Sequence, residues 1–283
     1  MSIRYLIAGK NGQLAQEFIK KFLQQGIDHV APDEKQLNIT DRTSVSSAVA
    51  AHQPAVIINC AAYNLVDKAE QEQDKVYAVN ALGAKHLAQA AAQHGAVLVH
   101  FGSDYVFDGK KENGLYTEND ATNPLNEYGK SKLSGEQSIM DEGGRFLIFR
   151  LSWVFGDGKQ NFIHKLTEWA GANEYLKIAC DEFSVPTYTG TVVDAVLTSL
   201  EQGVTGRYHL TNTGYCSRYE WAQLILKSLG INKFVRPVSM DSFKLPAKRP
   251  NFSAMSNAVL AQQLDIEIPS WESTVSSFCK RMR

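Results

Sequence analysis

The stretch Tyr5-Leu6-Ile7-Ala8-Gly9-Lys10-Asn11-Gly12-Gln13-Leu14-Ala15 reads as a strand, a tight glycine turn and the start of a helix that continues through Phe18, Phe22 and Leu23 to Gly26. Such a turn lets backbone N–H groups at a helix start approach a pyrophosphate, which is the dinucleotide-binding arrangement. A purely structural turn would leave the same Gly-x-x-Gly. Its place at the head of an alternating α/β chain is what favours the dinucleotide reading.

The alternation continues downstream. A short strand at His29-Val30-Ala31 ends at Pro32-Asp33. Asp33 suits either the adenosine ribose hydroxyls or a solvated turn, so NAD and NADP both stay open. Leu37-Asn38-Ile39-Thr40-Asp41 prepares a helix over Arg42 to His52, with Thr40 or Asp41 as its N-cap. Val56-Ile57-Ile58-Asn59 has the near-continuous apolar character of a parallel strand covered on both faces. It ends in Cys60-Ala61-Ala62-Tyr63, whose small residues let a flat cofactor lie against the backbone at the strand's carboxyl end. A long helix through Asn80, Leu82, Leu87 and Ala91 completes the crossover, and most of it reads as packing. The strand Ala96 to Phe101 then delivers Ser103 and Asp104 to the same edge. The Ser103 hydroxyl there can hold a substrate carbonyl or simply cap a turn.

Pro124 and Leu125 lead into a helix at about Asn126, which carries Tyr128-Gly129-Lys130-Ser131-Lys132. Four residues apart, Tyr128 and Lys132 share one helix face. A free tyrosine has a pKa near ~10, and a fixed cation beside it favours the phenolate. A drop of ~3 units, worth ~4 kcal/mol, brings the phenol near working pH for acid catalysis. Tyr-x-x-x-Lys also occurs as a surface pair on ordinary helices. The neighbouring Ser103 and the glycine turn make the three a constellation.

Phe146 to Leu151 is a buried strand by pattern and runs into Ser152-Trp153-Val154-Phe155-Gly156, whose aromatics suit the core or the cover of a flat ligand. From Asn161 the alternation weakens, and Asp181 to Thr187 reads as an irregular loop. The expected architecture is α/β: a Rossmann-type doubly wound parallel sheet over residues 1–155, with about 188–202 returning to it, and a smaller α+β substrate lobe over 156–283. Tyr208-His209-Leu210, the Ser217 to Leu229 helix and Arg249-Pro250-Asn251-Phe252-Ser253 are assigned to that lobe.

With 283 residues, 44% hydrophobic, 21% charged and a net charge of -1, the chain has the composition of a globular protein with a sizeable core. No dense run of Lys or Arg marks a nucleic-acid or anionic-membrane partner, and neither is expected. Cys60, Cys180, Cys216 and Cys279 are dispersed, without Cys-x-x-Cys or histidines at ligand spacing, so no metal is expected. Met1-Ser2-Ile3-Arg4-Tyr5 lacks a leader pattern, and no run approaches the roughly 18 apolar residues of a membrane span. A cytoplasmic setting with reduced thiols follows as the expectation.

Taken together, Gly9 to Leu14, Asn59 to Tyr63 with Val66-Asp67-Lys68-Ala69-Glu70, Ser103 to Gly109, Tyr128 to Lys132, Arg150 to Gly156 and Arg249-Pro250 resemble the extended short-chain dehydrogenase/reductases. Within that superfamily the likeness is to the dTDP-4-dehydrorhamnose reductase family. The resemblance implies reduction of the C4 ketone of a dTDP-linked 4-dehydro-6-deoxy sugar by NADPH or NADH, with Ser103, Tyr128 and Lys132 catalytic. It implies cofactor contacts at Gly9, Asn11, Gly12, Gln13, Leu14, Asp33, Asn38, Ile39, Cys60, Ala61, Ala62, Tyr63, Tyr128 and Lys132. It places the sugar near Val66, Ser103, Asp104, Tyr105, Tyr128 and Trp153. Leu151 stands where relatives commonly have Thr, Ala15 replaces a glycine, and Glu182 and Ser184 replace Gln and Gly. The resemblance leaves room for a homodimer: some relatives bridge subunits through magnesium, and Glu17 matches one ligand position, although one carboxylate does not make a metal site. A nucleotide-sugar epimerase would need the same trio, and a non-catalytic regulatory relative would keep the fold without it.

Overall fold

The computed structural model describes residues 4–282. Met1-Ser2-Ile3, read above for a leader pattern, and Arg283 lie outside the described residues. The first half alternates as β1 (Tyr5–Ala8), α1 (Gln13–Gln25), β2 (His29–Val30), α2 (Arg42–His52), β3 (Val56–Asn59), α3 (Val66–Ala69), α4 (Gln73–Tyr77), α5 (Gly83–His94), β4 (Val97–Ser103), α6 (Glu127–Glu142) and β5 (Arg145–Leu151). The second half runs β6 (Val154–Phe155), α7 (Phe162–Ala172), β7 (Leu176–Ala179), β8 (Phe183–Ser184), β9 (Thr187–Tyr188), α8 (Thr189–Glu201) and β10 (Gly206–His209). It closes with β11 (Cys216–Ser217), α9 (Arg218–Leu229), β12 (Val235–Val238), α10 (Ala258–Leu264) and α11 (Trp271–Arg281).

Six parallel strands form the central sheet in the order β10-β5-β4-β3-β1-β2. The winding reverses at β1, which has β2 on one side and β3 on the other. The crevice beyond the carboxyl ends of β1 and β3 is the place where such sheets receive ligands. One face is covered by Phe18 and Phe22 of α1, Val192 and Val196 of α8 and Leu260 of α10. The opposite face takes Val45 and Val49 of α2, Leu87 of α5 and Ile139 of α6. Each such side chain contributes roughly 1.5–3 kcal/mol by leaving water. A separate apolar cluster gathers Phe155, Leu166, Ile178, Trp221, Ile225 and Phe278 from the second half.

Helix α2 starts where the sequence predicts, with the Asp41 carboxylate accepting from the Thr43 N–H at 2.8 Å. Two other expectations are corrected. Tyr208 and His209 belong to β10, which pairs in parallel with β5 at the edge of the main sheet, and Leu210 packs in the sheet's own cluster. Gly206, Arg207 and Tyr208 are only half-buried, so this edge strand lacks the apolar run that marks its neighbours. The helix through Asn80 is not regular, because a π-helical turn at Ala78–Leu82 separates α4 from α5.

That turn carries the Asn80 carbonyl against α6, where a Cβ on Gly135 would overlap it; a Cβ on Gly129 would overlap the Tyr105 carbonyl in the same way. Gly135→Ala is expected to lower unfolding stability by about 1–3 kcal/mol, the usual cost of overpacking, measurable by urea denaturation. An unchanged midpoint would mean that α6 has room to retreat.

Candidate active site

The start of α6 is fixed from three directions. Asn126 caps it, its carbonyl oxygen accepting from the Gly129 N–H at 2.8 Å while its amide donates to the Lys248 carbonyl at 2.8 Å. The Glu127 N–H donates to the Glu70 carboxylate at 2.8 Å. Buried Asn80 spans the gap to the loop after β3: it accepts from the Tyr63 N–H at 2.8 Å and donates to the Tyr63 carbonyl at 3.1 Å and the Ser131 hydroxyl at 2.9 Å. Ser131 lies between Tyr128 and Lys132 in the chain, so Asn80 ties the loop after β3 to the turn that carries both, a link that a packing reading of its helix missed. Its signal is a polar amide at a fully buried helical position.

Ser103, Tyr128 and Lys132 wall one cleft of about 360 Å³. Tyr105 meets Tyr128 edge to face, with ring centroids 5.9 Å apart. Lys132 Nζ donates to the Phe101 carbonyl at the end of β4. The lowered Tyr128 pKa expected from Lys132 is not found. Burial pushes the Tyr128 phenol up to about 12, with the adjacent Ser103 hydroxyl opposing and the nearby Asp104 charge adding to the rise. Burial likewise brings Lys132 down to about 8, and Glu136 opposes that fall. The ammonium is drawn toward the sheet carbonyl, and desolvation governs the phenol.

On the cofactor side the cleft is lined by Gly12, Gln13, Leu14, Cys60, Ala61 and Ala62. Gly12 offers α1 no side-chain cap, so the first turn borders the cleft with its N–H groups open to an anionic group. Gly9, at φ +79°, lies so close to the Ala61 backbone that a Cβ would overlap it. That contact closes β1 onto the loop after β3. These features fit a dinucleotide. Gly9, Asn11, Asp33, Asn38, Ile39 and Tyr63 lie beyond the walls of this cleft. Asp33 accepts from the N–H groups of Lys35 and Gln36 in its own turn and lies 4.0 Å from Lys10. Asn38 binds Thr40, and Ile39 packs under Gly83. Tyr63 turns away from the cleft to donate to Glu72 at 2.9 Å.

On the opposite side stand Val66, Asp104, Tyr105, Leu151 and Trp153. Asp104 is buried and accepts from three hydroxyls: Ser103 at 3.3 Å, Ser184 at 2.9 Å and Ser253 at 2.6 Å. Burial raises its pKa to about 6 against those hydrogen bonds. Trp153 holds φ +40°, a costly conformation for a bulky residue. It stacks on Trp221 at 5.5 Å with the Arg218 guanidinium 3.6 Å over its ring, so it both packs and borders the cleft. Arg218 pairs with Glu182 through two contacts of 3.2 Å, and Arg249 pairs with Asp67 at 2.8 Å.

Beyond Arg218 opens a larger cavity of about 830 Å³ whose lining includes Lys165, Trp169, Tyr175, Lys177, Arg218 and Arg249. Sequence reading did not assemble this cation-and-aromatic set, whose members are scattered from residue 165 to residue 249 without a local motif.

The whole chain has known relatives. Residues 3–283 match the family described as RmlD substrate binding domain. The spore coat polysaccharide biosynthesis protein SpsK of Bacillus subtilis is 34% identical over 259 residues, 92% of this chain and 91% of that protein. A dTDP-4-dehydrorhamnose reductase of Clostridium acetobutylicum superposes with a TM-score of 0.95 at 33% identity, covering 99% of both chains. The Bacillus anthracis dTDP-4-dehydrorhamnose reductase, solved in complex with NADP, gives 0.94 at 34% identity over 98% of this chain and 99% of that one. The chain therefore belongs to the dTDP-4-dehydrorhamnose reductase family of the extended short-chain dehydrogenase/reductases.

Proposed function

We propose that this protein reduces the C4 ketone of dTDP-4-dehydro-L-rhamnose to give dTDP-L-rhamnose for cell-surface polysaccharide, using NADPH or NADH. The observation that carries this reading is a single cleft lined by Gly12 to Leu14 and Cys60 to Ala62 together with Ser103, Tyr128 and Lys132. A bound reduced nicotinamide supplies the hydride for the ketone carbon. Tyr128, protonated throughout the working range, gives its phenolic proton to the oxygen that gains the electron pair. Ser103 turns its hydroxyl from the long Asp104 contact to the ketone oxygen and orients it. Lys132 would hold the nicotinamide ribose of a bound cofactor from the β4 edge, and an ammonium turned from the Phe101 carbonyl toward Tyr128 would stabilise the phenolate left after proton transfer.

The larger cavity suits the nucleotide end of the substrate. Arg218 and Arg249 are positioned for a diphosphate, and the aromatic walls for a base. Because Glu182 and Asp67 already pair with those arginines, the diphosphate competes with or shares them. A cytoplasmic setting and a homodimer complete the reading.

Tyr128→Phe is expected to leave cofactor affinity nearly intact and to lower turnover by about two to four decades. Near-normal turnover would remove Tyr128 from the proton step.

Gly12→Val separates binding from folding. A Cβ at Gly12 would meet the Gly9 carbonyl at 3.4 Å and the Cys60 carbonyl at 3.9 Å, ordinary contacts, so the fold has room for the branch at a residue that borders the cleft. Fluorescence titration is expected to show lost dinucleotide binding with a near-normal melting temperature; retained affinity would make the turn structural only.

Leu151 lies opposite Ser103 in the β4–β5 register and borders the cleft. One neutral hydrogen bond is worth about 0.5–1.5 kcal/mol, so Leu151→Thr should change apparent sugar affinity by no more than about tenfold. Nicotinamide oxidation with the dTDP-linked 4-keto-6-deoxy sugar, beside its UDP- and GDP-linked counterparts, tests the substrate directly. Turnover of only the latter two would refute the dTDP assignment, and a changed sugar without net oxidation would indicate an epimerase.

A further inference from the structure

Glu136 lies on α6 one turn beyond Lys132, with no exposed surface. Its carboxylate accepts from Arg150 of β5 at 2.7 and 3.1 Å, and Arg207 of β10 stands 3.9 Å away. The same carboxylate fills the space over Gly102, where any Cβ would overlap it. Gly102 joins Phe101, whose carbonyl anchors the Lys132 ammonium, to Ser103, whose hydroxyl faces Tyr128. An ion pair buried to this degree loses several kcal/mol of hydration per ion, and a hydrophobic pair often serves stability as well. Its location between the ammonium and the hydroxyl points to a second role.

We infer that Glu136 is a positioning residue for the reaction: its buried carboxylate supplies the countercharge for Lys132 and fixes the Phe101-Gly102-Ser103 segment. The inference rests on the reading of Lys132 given above. Burial is what disfavours the Lys132 charge, and other titratable groups face this region. His100 of β4 is buried and kept neutral, in part by Lys132 itself. Arg150 and Arg207 are cations on the adjoining strands, and buried His209 beyond them is held neutral. Glu118 approaches Arg207 and the His209 N–H from the outer side. Tyr128 on the same helix face is a neutral phenol, and the Asp104 charge lies on the Tyr128 side. Among these groups Glu136 is the anion that opposes the loss of the Lys132 proton. Lys132 is depressed to about 8, so activity that needs its charge is present below that pH and lost above it. Without the Glu136 charge, that loss begins at lower pH.

The test is the pH dependence of kcat/KM for the wild type, Glu136→Gln, Arg207→Gln and Lys132→Ala, with melting temperatures as fold controls. For Glu136→Gln the alkaline limb should move down by about one pH unit, with KM for NADPH raised. Arg207→Gln removes a half-exposed cation and should move the limb the opposite way, to higher pH; it keeps the test decisive if Glu136→Gln fails to fold. A folded Glu136→Gln enzyme with an unmoved limb, whatever its turnover, would make the pair a structural brace only. An Arg207→Gln limb that stays or falls would equally overturn the inference. Undiminished turnover in Lys132→Ala would remove the reading of Lys132 and this inference with it, whereas an inactive Lys132→Ala beside an unmoved Glu136→Gln limb would remove Glu136 alone.

Discussion

The candidate active site depends on how closely α6 is allowed to approach the carboxyl end of β4. Gly129 and Gly135 remove the side chains that would hold the helix off the Tyr105 and Asn80 carbonyls, and Gly102 removes one from the strand. That approach brings a phenol, an ammonium and a hydroxyl from elements about twenty-five residues apart into one cleft. It also forces burial of polar groups. Glu136, Arg150, Asn80 and Ser131 are therefore bonded to one another or to backbone, because unpaired they would destabilise the fold by more than packing could recover.

The electrostatic state of the cleft follows from this crowding rather than from pairwise attraction. Tyr128 and Lys132 both shift toward neutrality, and Asp104 rises into the range where it exchanges protons near neutral pH. A ligand that fills the cleft brings its own charges into this dry environment, where they are felt strongly.

Much of the first half was legible because each element announces itself locally. Helix Arg42–His52 has its Asp41 cap, β3 its unbroken apolar run, and the Tyr128 helix its Asn126 start. The cleft residues Gly12 to Leu14, Cys60 to Ala62, Ser103, Tyr128 and Lys132 follow from those elements, since strand ends deliver them to one edge. What the sequence hid is non-local. The direction of the Lys132 ammonium is set by the Phe101 carbonyl, and the three hydroxyls on Asp104 come from positions 103, 184 and 253. Strand β10 has no apolar run because it is an edge. The arginine pairs Glu182–Arg218 and Asp67–Arg249 join residues far apart in the chain, and no spacing rule connects them.

The path of the chain between its apolar clusters carries a mechanical consequence. After β5 it leaves the sheet for the Phe155 and Trp221 cluster, returns with α8 and β10, leaves again with α9, comes back with α10 and ends in α11. Each return packs into the sheet's own cluster, so no single cut of the backbone separates the two regions. Opening one against the other would have to bend several connections at once. A nick in any one linker should therefore leave the two halves held together.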